Sequence, residues 1–287
     1  AGAIDAGINT YVAKCHNERM MQWLHASFGV GITSGPVIMT LGISMTSRWQ
    51  SGYLVVSIAI AILAAIFFVT KGMWEGITEN GSEEHLPETD APLLGTLKTL
   101  PAQLSMLIFF LYTGVELGLG LWAYTLLTES RGVDPQTAGF VTGSYWGMFT
   151  IGRLLAGLYA RKIGGKKLIY LSVSLALSGI VLLLTNTGQL TSILGIGVAG
   201  FAIAPIFPGL VSSTTSRVGI SHQANTIGMQ MAAAGFGTLV VPSLAGVLAK
   251  IYGLEVIPPY LLMVLLLMLL VFAGLHLNSK KLGLNID

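Results

Sequence analysis

Hydrophobic positions in this chain come in long unbroken runs rather than in alternation. Nine apolar stretches lie near residues 1–13, 21–45, 52–70, 102–127, 137–160, 168–186, 191–213, 226–252 and 258–277. Runs of about 18 residues or more with hardly a charge inside predict helices that cross a membrane. Short polar turns separate most of them. The exception is residues 71–101, which carry Glu75, Glu79, Glu83, Glu84, Glu88 and Asp90, then Pro92 and Pro101, and read as a polar linker. Six full spans follow it and two and a half precede it. The first run supplies only about 20 Å of a hydrocarbon core roughly 30 Å thick. It is expected to be the end of a helix that begins upstream, which makes the chain a fragment.

Basic residues set the expected orientation. With the C-terminus placed in the cytoplasm and the loops alternated backwards, the inside holds Lys14, Arg19, Lys71, Lys98, Arg161, Lys162, Lys166, Lys167, Arg217, Lys280 and Lys281. The outside holds Arg48, Arg131 and Lys250, with Arg153 inside a span. That bias follows the positive-inside rule and puts the 71–101 linker in the cytoplasm. Across the linker there is an internal echo. Gly29, Gly31 and Pro36 of "HASFGVGITSGP" match Gly235, Gly237 and Pro242 of "MAAAGFGTLVVP" at identical spacing. Similar halves related by an axis along the membrane normal are found in one large transporter class. With six helices per half, these nine spans are helices four to twelve. Residues 1–70 then belong to the N-terminal half and 102–287 to the C-terminal half and its short cytoplasmic tail. Gly29 and Gly235 are expected at equivalent tight crossings.

Composition narrows the function. Hydrophobic residues make up 53% of the 287 and charged residues 10%, against about 25% charged in soluble chains. The expectation is an all-α membrane protein in contact with lipid. Net charge is close to neutral, and no basic run with aromatics points to nucleic acid. Cys15 is the sole cysteine, which excludes disulfide frameworks and cysteine metal sites. "GIGVAG", Gly195 to Gly200, fits GxGxxG but lies in an apolar helix with no strand before it, so it reads as packing. The GxxxG runs Gly31–Gly35 and Gly114–Gly118 read the same way. The chain has neither GxxxxGK[ST] nor HExxH, so neither ATP-driven pumping nor metalloprotease chemistry is indicated. No cofactor is expected, and a secondary gradient is the energy source that remains.

Of thirteen acidic residues, only Asp5 and Glu116 fall inside apolar runs. A charged carboxylate at mid-bilayer costs about 3 kcal/mol or more, so such residues line cavities, pair or carry protons. Asp5 lies about 12 Å above the cytoplasmic end of its helix, with Asn9 one turn on along the same face. Glu116 is central in its span, with Tyr112 one turn earlier. Both acids are candidates for proton coupling; a salt bridge or a hydrogen-bonded structural acid is the alternative for each. Arg153 shares a face with Trp146, a surface suited to a sugar ring or an anion; alternatively Arg153 reaches the cytoplasm or neutralises Glu116. Gln22 and His25 begin the second span and Gln230 lies in the eighth. Each is suited to bind hydroxyls, or to tie helix to helix.

These residues resemble a known family. "GRLLAGLYARKIGGKK" is similar to the major facilitator signature G-x-x-x-D-R-x-G-R-[RK], at Gly157, Arg161, Lys162, Gly164, Gly165 and Lys166. It departs from that pattern at Arg161, where the family usually has an acid, while the basic hairpin remains. "GAIDAGINTYV" followed by "RMMQWLHASFGVGITSGP" resembles helices four and five of the fucose:proton symporter (fucose permease-like) family. "YTGVELGLG" and Tyr145 to Arg153 resemble the same group, and the likeness covers the whole chain. The resemblance implies a major facilitator fold, with Asp5 as the proton-carrying acid, Asn9 as a substrate contact and the hairpin as a gating loop.

The expected function is therefore proton-coupled transport of a small polar solute, a sugar, by alternating access in a cell (inner or plasma) membrane, by a monomer. An exporter of amphiphilic compounds is the alternative within the class. Outside it stands a non-transporting membrane sensor, which would carry a sizeable extramembrane domain. An enzyme is not expected, for want of a nucleophile–base or metal-ligand constellation.

Overall fold

The structure is a computed structural model that describes residues 2–72 and 91–281. Most of the linker, the tail after residue 281 and the side chains of Lys280 and Lys281 lie outside the described residues. Among the described residues there is no strand. The helices run α1 (Gly2–Cys15), α2 (Glu18–Thr46), α3 (Gln50–Val69), α4 (Leu93–Leu97), α5 (Leu100–Thr125) and, after a π turn at Leu126–Ser130, α6 (Pro135–Ile163). They continue with α7 (Gly165–Thr185), α8 (Gln189–Ile203), α9 (Ile206–Ser212), α10 (Thr214–Val218) and α11 (Ile220–Tyr252). A 3-10 turn at Leu254–Val256 leads into α12 (Ile257–Lys281).

Boundaries follow local chemistry. Asp134 caps α6 by accepting from the Thr137 amide at 3.0 Å, and Pro135 occupies the first turn, where no N–H is needed. Gly164, at φ +80°, stops α6 and hands its own N–H to Ala160 at 2.9 Å, so α7 starts one residue later. Segments 50–69, 100–130, 165–185, 189–212, 220–252 and 254–275 are long and apolar enough to cross a membrane. The 29-residue helices α2 and α6 have the length but carry more polar side chains, and α1 has 14 residues. All nine expected spans are helical. One is corrected: the stretch 191–213 is not a single helix but α8 and α9, broken around Pro205.

The chain divides into two compact units, Ala1–Gly29 with Asp90–Asp287, and Val30–Thr89. In the smaller unit, a turn joins α2 to α3. A Cβ at Gly42 would lie 2.7 Å from the Gly52 amide nitrogen, and one at Gly52 would lie 2.5 Å from Met39 Sδ. In the larger unit α5 packs most extensively on α11, with α12 beside it, and α7 pairs with α8. Small residues permit this closeness, as in membrane helices generally. Gly114 meets Val241, and a Cβ at Gly237 would strike the Phe110 carbonyl. Gly195 and Gly179 back onto each other, with a Cβ at Gly195 2.8 Å from the Gly179 carbonyl. The GIGVAG run is thus a packing surface. The Gly29–Gly235 equivalence fails: Gly29 abuts Thr150, whereas nothing lies within 4 Å of a Cβ at Gly235. In the second copy of the echo it is Gly237 that makes the tight contact.

Candidate functional site

The centre of the larger unit is organised by two prolines in "FAIAPIFPG". Proline has no amide hydrogen, so Pro205 and Pro208 leave the carbonyls four residues earlier, Phe201 and Ala204, without helical donors. A buried carbonyl needs a partner. Three side chains from three other helices converge on the break. Tyr112 of α5 donates to the Ile203 carbonyl at 3.0 Å. Arg153 of α6 donates through Nε to Ala204 at 3.1 Å. Gln22 of α2 donates to Pro205 at 3.0 Å, while its own Oε1 is buried without a partner. Gly152 presses its backbone against the Phe201 carbonyl. All three donors are buried.

From this knot a polar chain leads to α1. Arg153 Nη1 donates to the His25 carbonyl at 3.0 Å. The His25 ring lies 4.8 Å from the Phe207 ring, which also contacts Phe109 and Tyr112. His25 Nε2 lies 2.8 Å from Asn9 Oδ1. Asn9 Nδ2 in turn donates to the Asp5 carbonyl at 2.9 Å and to Asp5 Oδ1 at 3.0 Å. Asn9 is buried and Asp5 exposed. Asp5, Asn9 and His25 therefore form one hydrogen-bonded series, wet at the acid and dry at the histidine.

The other candidates divide. Glu116 is half-buried on α5, with Oε2 lacking a partner, and it feels the Arg153 charge through space. The Tyr145 hydroxyl donates to the Glu116 carbonyl at 2.8 Å. Arg153 does not lie on Trp146. Its guanidinium sits 4.0 Å over the Phe149 ring, one turn away, and Trp146 instead packs against Gly120 and the Tyr145 and Phe149 rings. Gln230 belongs to a second buried network. It exchanges hydrogen bonds with Thr214 at 3.2 Å, and Thr214 also accepts from Arg217. In the hairpin, Arg161 and Lys162 are exposed on the last turn of α6, Gly164 makes the turn and Lys166 is half-buried on the first turn of α7. Gly157 lies directly under the Trp23 indole, which carries Arg19 on its ring at 4.2 Å.

Sequence reading missed the proline-freed carbonyls, although two prolines inside an apolar run were the available signal. It also passed over Phe149, Phe207 and Glu18. Glu18 opens α2, ahead of the apolar run, and burial pushes its carboxyl up to about 7. Among the described residues no three His, Cys, Asp or Glu side chains group as metal ligands.

Known proteins resemble this chain in sequence and fold. The pattern of the Major Facilitator Superfamily matches residues 1–177 and, a second time, 104–283. "Bypass of stop codon protein 6" of Saccharomyces cerevisiae is 22% identical over 85% of this chain and 54% of its own length. The glucose/mannose transporter GlcP of Bacillus subtilis is 22% identical over 86% of the chain and 62% of its own length. The chain thus spans a little over half the length of these relatives. A crystal structure of the E. coli fucose:proton symporter FucP superposes with a TM-score of 0.56 at 16% identity, covering 78% of this chain and 57% of that one. With the family pattern running through nearly all of its length, the chain belongs to the Major Facilitator Superfamily.

Proposed function

We propose that the protein carries a small polar solute of the sugar class across a cell membrane together with protons, by alternating access between two helical halves. In this reading residues 1–70 belong to one half, 102–287 form the other, and the linker and C-terminus face the cytoplasm. The observation that carries it is the Asp5–Asn9–His25 series. Hydrogen bonds to an ionised acceptor are roughly twice as strong as neutral ones. An ionised Asp5 therefore holds the Asn9 amide to itself. Protonation weakens that hold and frees Nδ2 to donate to a hydroxyl of the solute. Proton and solute then load together, and the cavity closes without burying a charge. Support comes also from the names of two distant relatives, a glucose/mannose transporter and a fucose:proton symporter.

Asp5→Asn in the full-length protein imitates the protonated acid. In proteoliposomes it is expected to keep solute counterflow but to lose uphill accumulation driven by a pH gradient. Accumulation by Asp5→Asn at the unsubstituted rate overturns the assignment, and absence of any sugar counterflow in the unsubstituted protein overturns the substrate class.

A further inference from the structure

Glu18 has a carboxylate that none of the preceding chemistry uses. It stands three residues before Met21, where the apolar run of α2 begins, and it is half-buried. Its carboxylate lies flat against the first residue of α7: a Cβ at Gly165 would sit 3.3 Å from Oε1 and 3.4 Å from Oε2. On the other side is α9, where a Cβ at Gly209 would lie 3.7 Å from Oε1. Two glycines thus shape a slot between α7 and α9 that the head of Glu18 fills. Inside it Oε1 is buried with no hydrogen-bond partner.

The charges around the slot do not compensate the acid. On its own helix, Arg19 lies over the Trp23 ring. The α6–α7 hairpin carries Arg161, Lys162, Lys166 and Lys167, and the end of α1 carries Lys14, Cys15 and His16. Nothing in α9 is ionisable, and Arg217 of α10 directs its guanidinium to the Leu210 carbonyl, Ser213 and Thr214. Burial alone accounts for the raised affinity of Glu18 for its proton.

We propose that Glu18 is a proton-operated latch: neutral, it seats in the glycine slot and holds the start of α2 against α7 and α9; ionised, it leaves the slot for water and releases that joint. The physical reason is that an uncompensated carboxylate is far costlier to bury than a carboxylic acid. In the orientation proposed above the joint lies on the cytoplasmic side, beside the Trp23–Gly157 crossing. The latch does not depend on proton coupling at Asp5, because its tests need no transport.

The experiment uses the full-length protein in lipid nanodiscs, with Cys15→Ser and spin labels attached through Met20→Cys on α2 and Lys167→Cys on α7. The interlabel distance is expected to lengthen as pH rises, with a midpoint near the value of about 7 to which Glu18 is raised. Glu18→Gln is expected to keep the short distance at every pH. Infrared difference spectra should show a protonated carboxyl band that disappears over the same range and is missing in Glu18→Gln. An equal pH-dependent opening in Glu18→Gln overturns the latch. So does a carboxyl band that titrates while the distance stays fixed, because the ionised acid has then remained in its slot. Should Glu18→Gln not accumulate, the two titrations of the protein with Glu18 intact decide the matter between themselves.

Discussion

Arg153 Nε donates at 3.1 Å to the carbonyl of Ala204, the acceptor that Pro208 leaves without a helical donor. The charged side chain stands in for a missing backbone amide. This explains why a buried guanidinium is tolerated: it serves two carbonyls and lies on the Phe149 ring. Arg153→Ala should cost about 1–3 kcal/mol, the penalty for stranding a buried acceptor. In a Pro208→Ala background the restored amide at position 208 can reach Ala204, so the same change should cost less by roughly 0.5–1.5 kcal/mol. Unfolding in detergent of the four proteins of that cycle measures the difference. Additive costs would mean that the two groups do not share the acceptor.

Gly157 and Trp23 form the second testable pair. The indole occupies the place where a side chain at 157 would begin. Gly157→Ala should therefore overpack the α2–α6 crossing and lower stability by about 1–3 kcal/mol. Trp23→Ala should relieve most of that in the double variant. Gly235→Ala is the control: the space around Gly235 is open, and alanine gains about 0.5–1 kcal/mol over glycine inside a helix. Thermal unfolding should rank the proteins in that order.

Much of this fold was legible in the sequence because bilayers impose one strong rule. Spans must be apolar for about 20 residues, and α3, α5, α7, α11 and α12 therefore lie close to the runs that predicted them. The break between α8 and α9 was not legible from hydropathy, since Pro205 and Pro208 are themselves apolar and alter hydrogen bonding rather than polarity. The Asp5–Asn9 pairing followed from helical spacing, and its extension to His25 required knowing that α1 and α2 are side by side. Trp146 and Arg153 do share a face, yet Phe149, four residues before Arg153, is nearer the guanidinium. Gln230 was placed with the other polar candidates because its own helix gives no hint of Thr214, whose position depends on the turn after α9. Helical periodicity names the residues on a face, and packing decides which of them meet.

At the far end of α5, Arg131 holds Glu255 bidentately, through Nε at 3.0 Å and Nη2 at 2.7 Å, and donates to Ser192 at 2.7 Å. The bidentate contact favours the ionised form of Glu255. An acid that is ionised and paired in the fold adds stability that is lost as pH falls and the carboxylate takes up its proton. Glu255 is 44% exposed, so solvent screening limits the pair to about 1 kcal/mol. Unfolding followed from about pH 6 down to about pH 3 should show that loss. Glu255→Gln should start lower and lose less over the same range. Equal slopes for the two proteins would show that the clasp is energetically silent.

The last prediction concerns Asn9, which stands between the acid and the histidine. Because its Nδ2 donates to the Asp5 carbonyl and to Asp5 Oδ1, its Oδ1 faces His25, and His25 must carry its proton on Nε2 to complete the bond. Nitrogen-labelled histidine in liposomes should show a protonated Nε2 and a bare Nδ1 for the signal that vanishes in His25→Gln. His25→Leu should destabilise by about 1–3 kcal/mol, because it leaves Asn9 Oδ1 buried without a donor. His25→Gln, which keeps an N–H, should lose less. If the amide also reaches the solute, Asn9→Ala weakens solute binding by about 0.5–1.5 kcal/mol, roughly two- to thirteen-fold. The effect should be largest at low pH, where a protonated Asp5 has released Nδ2. Binding titrations at two pH values separate this from a purely structural part. Lower stability with an unchanged solute affinity at both pH values would make Asn9 a strut between α1 and α2, and would remove the support for proton coupling through Asp5.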